Sequence, residues 1–359
     1  MVRIELKDIY KGYYGGKVVA AEIEYLEIKD KEFFGLLGPS GSGKTTTLRI
    51  IAGLTQPDRG MVLIDGEDIT KLPPEKRGLG MVFQSWALFP HLTAFENIAF
   101  GLRLRKIPED EIKRRVQWAA ELLQIQDLLN RYPYQMSGGQ QQRVAVARAI
   151  VVQPRALLFD EPLSNLDAKL REQVRFELKK LQRELGITSV YVTHDQAEAL
   201  VMCDRIAVMN KGRIEQIGSP EEIYGSPATR FVAEFMGITT LIPGNVLEIV
   251  NRDKSLVRVA LEEGNIELLA RTNLEKVTKD SKVFLAVRPE AVRLAHPTET
   301  SNVIDVKILT GSYLGDHYEY IISLSDYLIR LRTPVNVRLD AGSSVKIKLE
   351  EETLFAVPR

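Results

Sequence analysis

Residues 38 to 45 read GPSGSGKT, with Gly38, Gly43, Lys44 and Thr45 at the spacing G-x-x-x-x-G-K-[ST]. The chemistry such a run can do is phosphate binding. Glycine lets the loop wrap closely, so that past Pro39, which lacks an N–H, the backbone N–H groups of Ser40, Gly41 and Ser42 turn toward a triphosphate. The ammonium of Lys44 would reach the β- and γ-phosphates, the hydroxyl of Thr45 would face Mg2+, and Thr46 continues the loop into its helix. Further along, the apolar run RALLF (155 to 159) ends in Asp160 and Glu161. A carboxylate in the first place can hold Mg2+ through its water shell. One in the second can orient and deprotonate the water that attacks the γ-phosphate in line. His194, closing the apolar run SVYVT, can donate a hydrogen bond to the γ-phosphate, and Gln84, closing GMVF, can sense Mg2+ and the attacking water. Alone, each of the last three motifs reads equally well as a strand-end turn or a structural side chain; the glycine loop upstream favours chemistry.

These residues need a sheet to hold them. Phe33 to Leu37 is apolar and reads as a buried strand leading into the glycine loop, and Leu48, Ile51 and Ala52 after it sit at helical spacing. Strand, glycine loop and helix, with polar residues at further strand ends, predict a doubly wound α/β unit. Residues 1 to 34 alternate apolar and polar side chains and predict antiparallel strands beside it. From about 88 to 150 the pattern is helical: Pro108 and acidic residues open one helix, Ile112, Val116, Ala119 and Leu123 share its face, and Trp118 beside them reads as core. Val174, Leu178, Leu181 and Leu185 mark another amphipathic helix, and Asn210-Lys211-Gly212 a hairpin turn. The texture changes at about residue 237. The predicted domains are therefore 1–237, α/β with a helical subdomain, and 238–359, an all-β unit of barrel type whose halves, near 240–292 and 302–357, have similar make-up.

Composition narrows the partners. Lys plus Arg and Asp plus Glu are both 48 in 359 residues, so there is no electrostatic case for nucleic acid or an acidic membrane surface. The one cysteine, Cys203, fits a reducing compartment and reads as a small buried apolar side chain. The N-terminus carries charges in place of an apolar signal core, and no apolar run approaches the length of a bilayer span, so membrane association is expected through a partner.

MSGGQQQR, residues 136 to 143, does not belong to a self-contained site. Ser137, Gly138, Gly139 and Gln140 stand ahead of a small-residue helix and form a second anion-binding helix end. Two such ends for one nucleotide resolve into a head-to-tail pair, each chain completing the other's site.

With this segment the chain resembles the ATP-hydrolysing subunits of ABC transporters, within them the importer group of maltose, polyamine and ferric-ion type. Six motifs carry the resemblance in family order: GPSGSGKT, Gln84, MSGGQQ, LLFDEP, SNLD at 164 to 167, and His194 in VTHD. Met136 stands where leucine is usual, a swap apolar packing tolerates. The resemblance implies a P-loop ATPase domain followed by an OB-like regulatory domain, on SPATRFVAEFMG, AVRPEAVRL and GSYLGDHYEYIISL, with no nucleic acid involved. It implies that Tyr13 stacks on adenine, with Tyr14 leaving the register open by one. It implies that Glu161 is the catalytic base, that His194 holds the γ-phosphate, that Ser137 and Gly139 contact ATP held by a second, identical subunit, and that Asp167 works across that dimer. Expected partners are ATP, Mg2+, membrane permease subunits docking near residues 84 to 100 beside Trp86, Phe89 and Phe95, and an extracytoplasmic solute-binding protein. The expected location is the cytoplasmic face of the membrane. The solute, a sugar or a polyamine or ferric ion, is left open. A soluble ABC ATPase of translation or DNA repair is the alternative; the single cassette and absent heptad run speak against it.

Overall fold

The computed structural model describes residues 2–359 and divides into two compact units, Met1–Pro220 and Glu221–Arg359. In the first, the alternating N-terminal residues form β1 (Ile4–Tyr13) and β2 (Val18–Ile28), an antiparallel pair with Ile4 opposite Ile28 and Leu6 opposite Leu26. β3 (Phe33–Leu37) is buried at every residue, as a central strand covered on both faces must be. α1 (Lys44–Ala52) follows it, and β4 (Arg59–Ile64) and β5 (Glu67–Asp68) complete an antiparallel sheet in the order β2-β1-β4-β5. Leu48 and Ile51 of α1 share one core with Ile4, Leu6 and Leu26 of this sheet and Leu36, Leu158 and Val192 of the next.

β6 (Leu79–Val82) leads into three helices, α2 (Ala94–Leu104), α3 (Glu109–Leu122) and α4 (Gly138–Ile150). In α3, Ile112, Val116 and Ala119 are buried as expected, but Trp118 is 38% exposed. Two residues past Val116 is more than half a turn round, so Trp118 leaves the apolar face. The chain then returns through β7 (Ala156–Asp160), α5 (Ala168–Leu185), β8 (Thr188–Thr193), α6 (Gln196–Met202), β9 (Arg205–Asn210) and β10 (Arg213–Gly218). Cys203 is buried, and burial pushes its thiol pKa well up, as for an inert apolar side chain.

The main sheet runs β10-β9-β3-β8-β7-β6, parallel except for the edge strand β10. Its register places Leu37 beside Thr193 and Asp160 beside Val192. The ends of β3, β8, β7 and β6 therefore stand side by side, and with them the glycine loop, His194, the Asp160–Glu161 pair and Gln84. Arg77, 1% exposed, braces this frame by donating to the carbonyls of Ile50 and Ile51 at 2.8 Å each, the last turn of α1, and to Thr70 at 2.7 Å. Burial lowers its pKa, and the four carbonyl acceptors it reaches, Leu72 included, compensate the buried cation.

α7 (Pro220–Gly225) begins at the last residue of the first unit; the second holds the rest of it and α8 (Arg230–Phe235) and is otherwise β. β11 (Thr240–Asn251), β12 (Leu256–Leu261), β13 (Glu267–Thr272) and β14 (Lys282–Val287) are followed by β15 (Val292–Leu294), β16 (Val303–Tyr313), β17 (His317–Leu324), β18 (Tyr327–Pro334), β19 (Ser344–Leu349) and β20 (Phe355–Pro358). β11-β12-β13-β20-β14 close into a barrel, and β15-β19-β16-β17-β18 form a separate sheet. The two halves of similar composition do not fold as two copies. β20, last in the chain, pairs with β14 and β13 and closes the first half's barrel, with Phe284 opposite Val357. Arg288, 5% exposed, stacks over the Tyr224 ring at 3.8 Å and donates to the Met236 carbonyl at 3.2 Å. Burial first, and the hydrogen bond to Glu290 second, push the Tyr224 phenol up to about 12. Among the described residues no helix is long and apolar enough to cross a membrane.

Candidate nucleotide site

The glycine loop is shaped by contacts that no side chain would permit. A Cβ on Gly38 would lie 2.3 Å from the Met209 carbonyl oxygen. Gly43 has φ 103°, and a Cβ there would lie 2.1 Å from the carbonyl oxygen of Ala20. α1 starts at Lys44 without a side-chain cap, which leaves first-turn N–H groups free to meet an anion. Lys44, only 4% exposed, donates to the carbonyls of Gly38 at 2.8 Å and Pro39 at 2.9 Å. Burial lowers its pKa, opposed by Glu161 and Asp160, so the ammonium sits where added negative charge would be most welcome. Ser42 is 2% exposed and its hydroxyl has no hydrogen-bond partner. A buried hydroxyl without a partner beside a capless helix start suits a phosphate oxygen.

Across from the loop, Asp160 Oδ1 accepts from the Thr45 hydroxyl at 3.1 Å, with the Arg49 guanidinium at 4.0 Å. Burial raises the Asp160 pKa against the lowering by Thr45 and Arg49. Hydroxyl and carboxylate are the hard oxygens Mg2+ prefers, and among the described residues no cluster of three or more His, Cys, Asp or Glu offers a cage of its own. The residues fit a cation that takes its remaining ligands from phosphate and water.

Glu161 takes a left-handed backbone conformation, φ 46°, while its N–H donates to the Val192 carbonyl at 3.1 Å. That turn swings its carboxylate off the line of β7 toward β8, where Oε2 lies 3.0 Å from Nδ1 of His194. A non-glycine residue held there stores strain, as functional turns often do. The His194 side chain is 57% exposed, open to a ligand. Gln84 is exposed, and its carbonyl accepts from Asn165 at 2.8 Å. Tyr13 ends β1 with its ring 5.6 Å from the Lys11 ammonium, and Tyr14 follows in a left-handed turn, 83% exposed.

The remaining sequence candidates form a separate group. Ser137 caps α4, its hydroxyl accepting from the Gln140 N–H at 3.4 Å while the Gln140 side chain accepts from the Ser137 N–H at 2.9 Å. A Cβ on Gly138 would meet Leu166 at 3.1 Å and Trp86 at 3.2 Å, and one on Gly139 would meet Leu170 at 3.1 Å. Asp167 caps α5 by accepting from the Leu170 N–H at 3.0 Å. Among the described residues no hydrogen bond joins Ser137 to Gln140 with the glycine loop or the carboxylate pair. Sequence reading had no sign of Arg77, or of Arg171 and Arg175 on α5, whose partners lie on other segments of the chain.

A glycine loop between strand and helix, a buried lysine, a hydroxyl–carboxylate pair and a strand-end glutamate against a histidine define a P-loop ATPase. The ABC transporter family model matches residues 24–164 and the TOBE domain model residues 285–357. The spermidine/putrescine import ATP-binding protein PotA of Thermobifida fusca is 49% identical over 327 residues, covering 90% of this chain and 84% of that protein. The protein of the same name from Haemophilus influenzae is 48% identical over 315 residues, 87% of this chain and 82% of that one. Among solved structures, the dimeric post-hydrolysis state of the ATP-binding cassette MJ0796 bound to ADP and Pi is 37% identical with a TM-score of 0.55, covering 60% of this chain and 98% of that one. The chain belongs to the ABC transporter family, as an ATP-binding subunit of the importer type. It is an ATPase, and its cofactors are ATP and Mg2+.

Proposed function

We propose that this chain powers polyamine import, working as a homodimer around two Mg·ATP molecules on the cytoplasmic face of a membrane permease. The observation that carries the solute is the identity of 49% over 90% of the chain with a spermidine/putrescine import subunit. The relative from Haemophilus influenzae, 48% identical, carries the same name. The pairing rests on geometry within one chain: the glycine loop and the Ser137–Gly139 helix end are two anion-binding devices with no hydrogen bond between them.

In this reading Lys44, Gly41, Ser42 and the α1 N-terminus hold the phosphates, while Ser137, Gly138, Gly139 and Gln140 of the other copy close over the γ-phosphate. Thr45, Asp160 and Gln84 hold Mg2+, which when bound neutralises charge on the phosphate oxygens. Glu161 takes the proton of the attacking water, and His194, whose Nδ1 lies 3.0 Å from that carboxylate, donates to the γ-phosphate. Asp167 reaches across the dimer. ATP favours the closed pair because only there does it touch both chains, and closure is what moves the permease. An extracytoplasmic solute-binding protein delivers the polyamine, and the β unit regulates.

The permease docks an amphipathic helix in a groove of about 550 Å³ lined by Met81, Phe100, Leu104 and Val152, with Arg105 and Glu75 at its rim. Phe100 and Leu104 extend the sequence reading of Trp86, Phe89 and Phe95, with the Phe89 and Phe100 ring centroids 4.6 Å apart.

Tyr13, at the end of β1, is the better adenine platform, since Tyr14 has no strand to fix it. Base–aromatic stacking is worth about 1–3 kcal/mol by alanine substitution. Tyr13→Ala is expected to raise the KM for ATP about tenfold, and Tyr14→Ala less than twofold. The reverse order would reassign the platform.

The solute is tested by uptake of radiolabelled spermidine in source cells lacking this chain and in cells carrying Glu161→Gln. Loss of uptake in both, restored by the wild-type chain, is the expected result. Undiminished spermidine uptake would remove the polyamine assignment.

A further inference from the structure

A second charged cluster lies behind Glu161 and His194. Arg171 of α5 donates to the Leu166 carbonyl at 3.0 Å, while its other nitrogens lie 3.6 Å from Asp195 Oδ2 and 3.9 Å from Glu198 Oε1. Arg175, one turn on, donates to the same Asp195 oxygen at 2.9 Å and lies 3.9 Å from Glu198. Glu198, 3% exposed, accepts from the hydroxyls of Tyr191 at 2.9 Å and Thr193 at 2.6 Å. The Thr193 hydroxyl in turn accepts from the Asp195 N–H at 2.9 Å. Two guanidiniums thus face two carboxylates that grip the residues on either side of His194. A cavity of about 40 Å³, lined by Glu161, Ser164, Arg171, His194 and Glu198, adjoins the catalytic pair.

We infer that Arg171 is a positioning residue that ties Asp167 to His194 within one chain. One planar guanidinium holds the carbonyl that precedes Asp167 and faces the carboxylates that follow His194, which a flexible ammonium with one point of charge cannot do as rigidly. Any displacement of Leu166–Asp167 is therefore felt at Asp195, whose carboxylate caps α6 through the N–H groups of Ala197 at 2.8 Å and Glu198 at 3.2 Å. The cluster is only partly satisfied: Nε of Arg171 and of Arg175 are buried without a hydrogen bond, and the 3.9 Å contacts are too long to be hydrogen bonds. Its geometry is thus able to tighten when Asp167 moves. The inference rests on the proposed dimer, in which Asp167 meets the other copy. It adds the route by which closure at one site adjusts the histidine of its own chain.

The test is ATP turnover against ATP concentration, with thermal unfolding alongside, for the full chain carrying Arg171→Met, Arg171→Lys, Arg171→Met with Glu198→Gln, and Asp167→Ala. Arg171→Met is expected to lower kcat about tenfold and leave KM within twofold, because misplacement acts on the chemical step. Arg171→Lys should recover part of that loss. The double variant balances the lost cation by neutralising Glu198, which otherwise keeps only Arg175 at 3.9 Å as a charge partner, so its unfolding midpoint should return to the wild-type value while kcat stays low. Recovery of kcat together with stability would reduce Arg171 to a structural residue and overturn the inference. A wild-type kcat in Asp167→Ala would instead remove the cross-dimer reading on which it stands.

Discussion

Lys44→Ala is expected to abolish ATP turnover, lowering it roughly a thousandfold, the scale on which loss of one preorganised charged donor acts. The lysine is 4% exposed and is held by the Gly38 and Pro39 carbonyls at 2.8 and 2.9 Å. Its ammonium is fixed in place before any nucleotide arrives, so little reorganisation opposes its attraction for the γ-phosphate. Alanine also removes the lysine donor from those two carbonyls, leaving Pro39 only the Ser42 N–H at 3.2 Å, and the loop loses an internal brace. The measurement is phosphate release by the purified chain in excess Mg·ATP. Turnover at the wild-type rate would show that GPSGSGKT is not the phosphate site.

Glu161→Gln separates binding from chemistry. Glutamine keeps the shape of the side chain and a carbonyl oxygen to face His194, so the left-handed turn at φ 46° and the 3.0 Å contact need not change. It removes the group that takes the water's proton. General-base catalysis contributes about 10²–10⁴-fold, and turnover should fall by that factor. ATP affinity should be unchanged or tighter, since a negative charge leaves the neighbourhood of the phosphates. With hydrolysis stopped, the closed pair accumulates. Light scattering in saturating Mg·ATP should report twice the monomer mass, falling to the monomer with EDTA. A monomer under both conditions would mean that Ser137–Gly139 does not complete a neighbour's site.

Much of this was readable from residue types, because the chemistry is concentrated where short segments run strand to loop to helix. Gly38 to Thr45 is contiguous, so its spacing alone points to a phosphate loop, and that loop in turn lifts the Asp160–Glu161 pair above an acidic strand-end turn. That they meet depends on the order β3-β8-β7-β6, which no periodicity reveals; only their common position at strand ends pointed that way. Side chains whose role lies across the sequence stayed hidden. Arg77 serves carbonyls of α1, 26 and 27 residues away, and Arg171 serves carboxylates on another helix. Nothing in the local pattern of either segment names those distant partners. Trp118 failed for a different reason, an apolar residue placed off the stripe. In the β unit the strands were visible, but not that Phe355–Pro358 would leave its own half to close the other's barrel.

An import ATPase must sit on a membrane permease. The direct measurement is affinity capture of the tagged full chain from gently solubilised native membranes, with partners identified by mass spectrometry. One or two multi-spanning permease subunits, lost from a Phe100→Glu, Leu104→Glu variant, is the predicted result. Recovery of ribosomes or DNA-processing proteins with no membrane protein would contradict the transport reading.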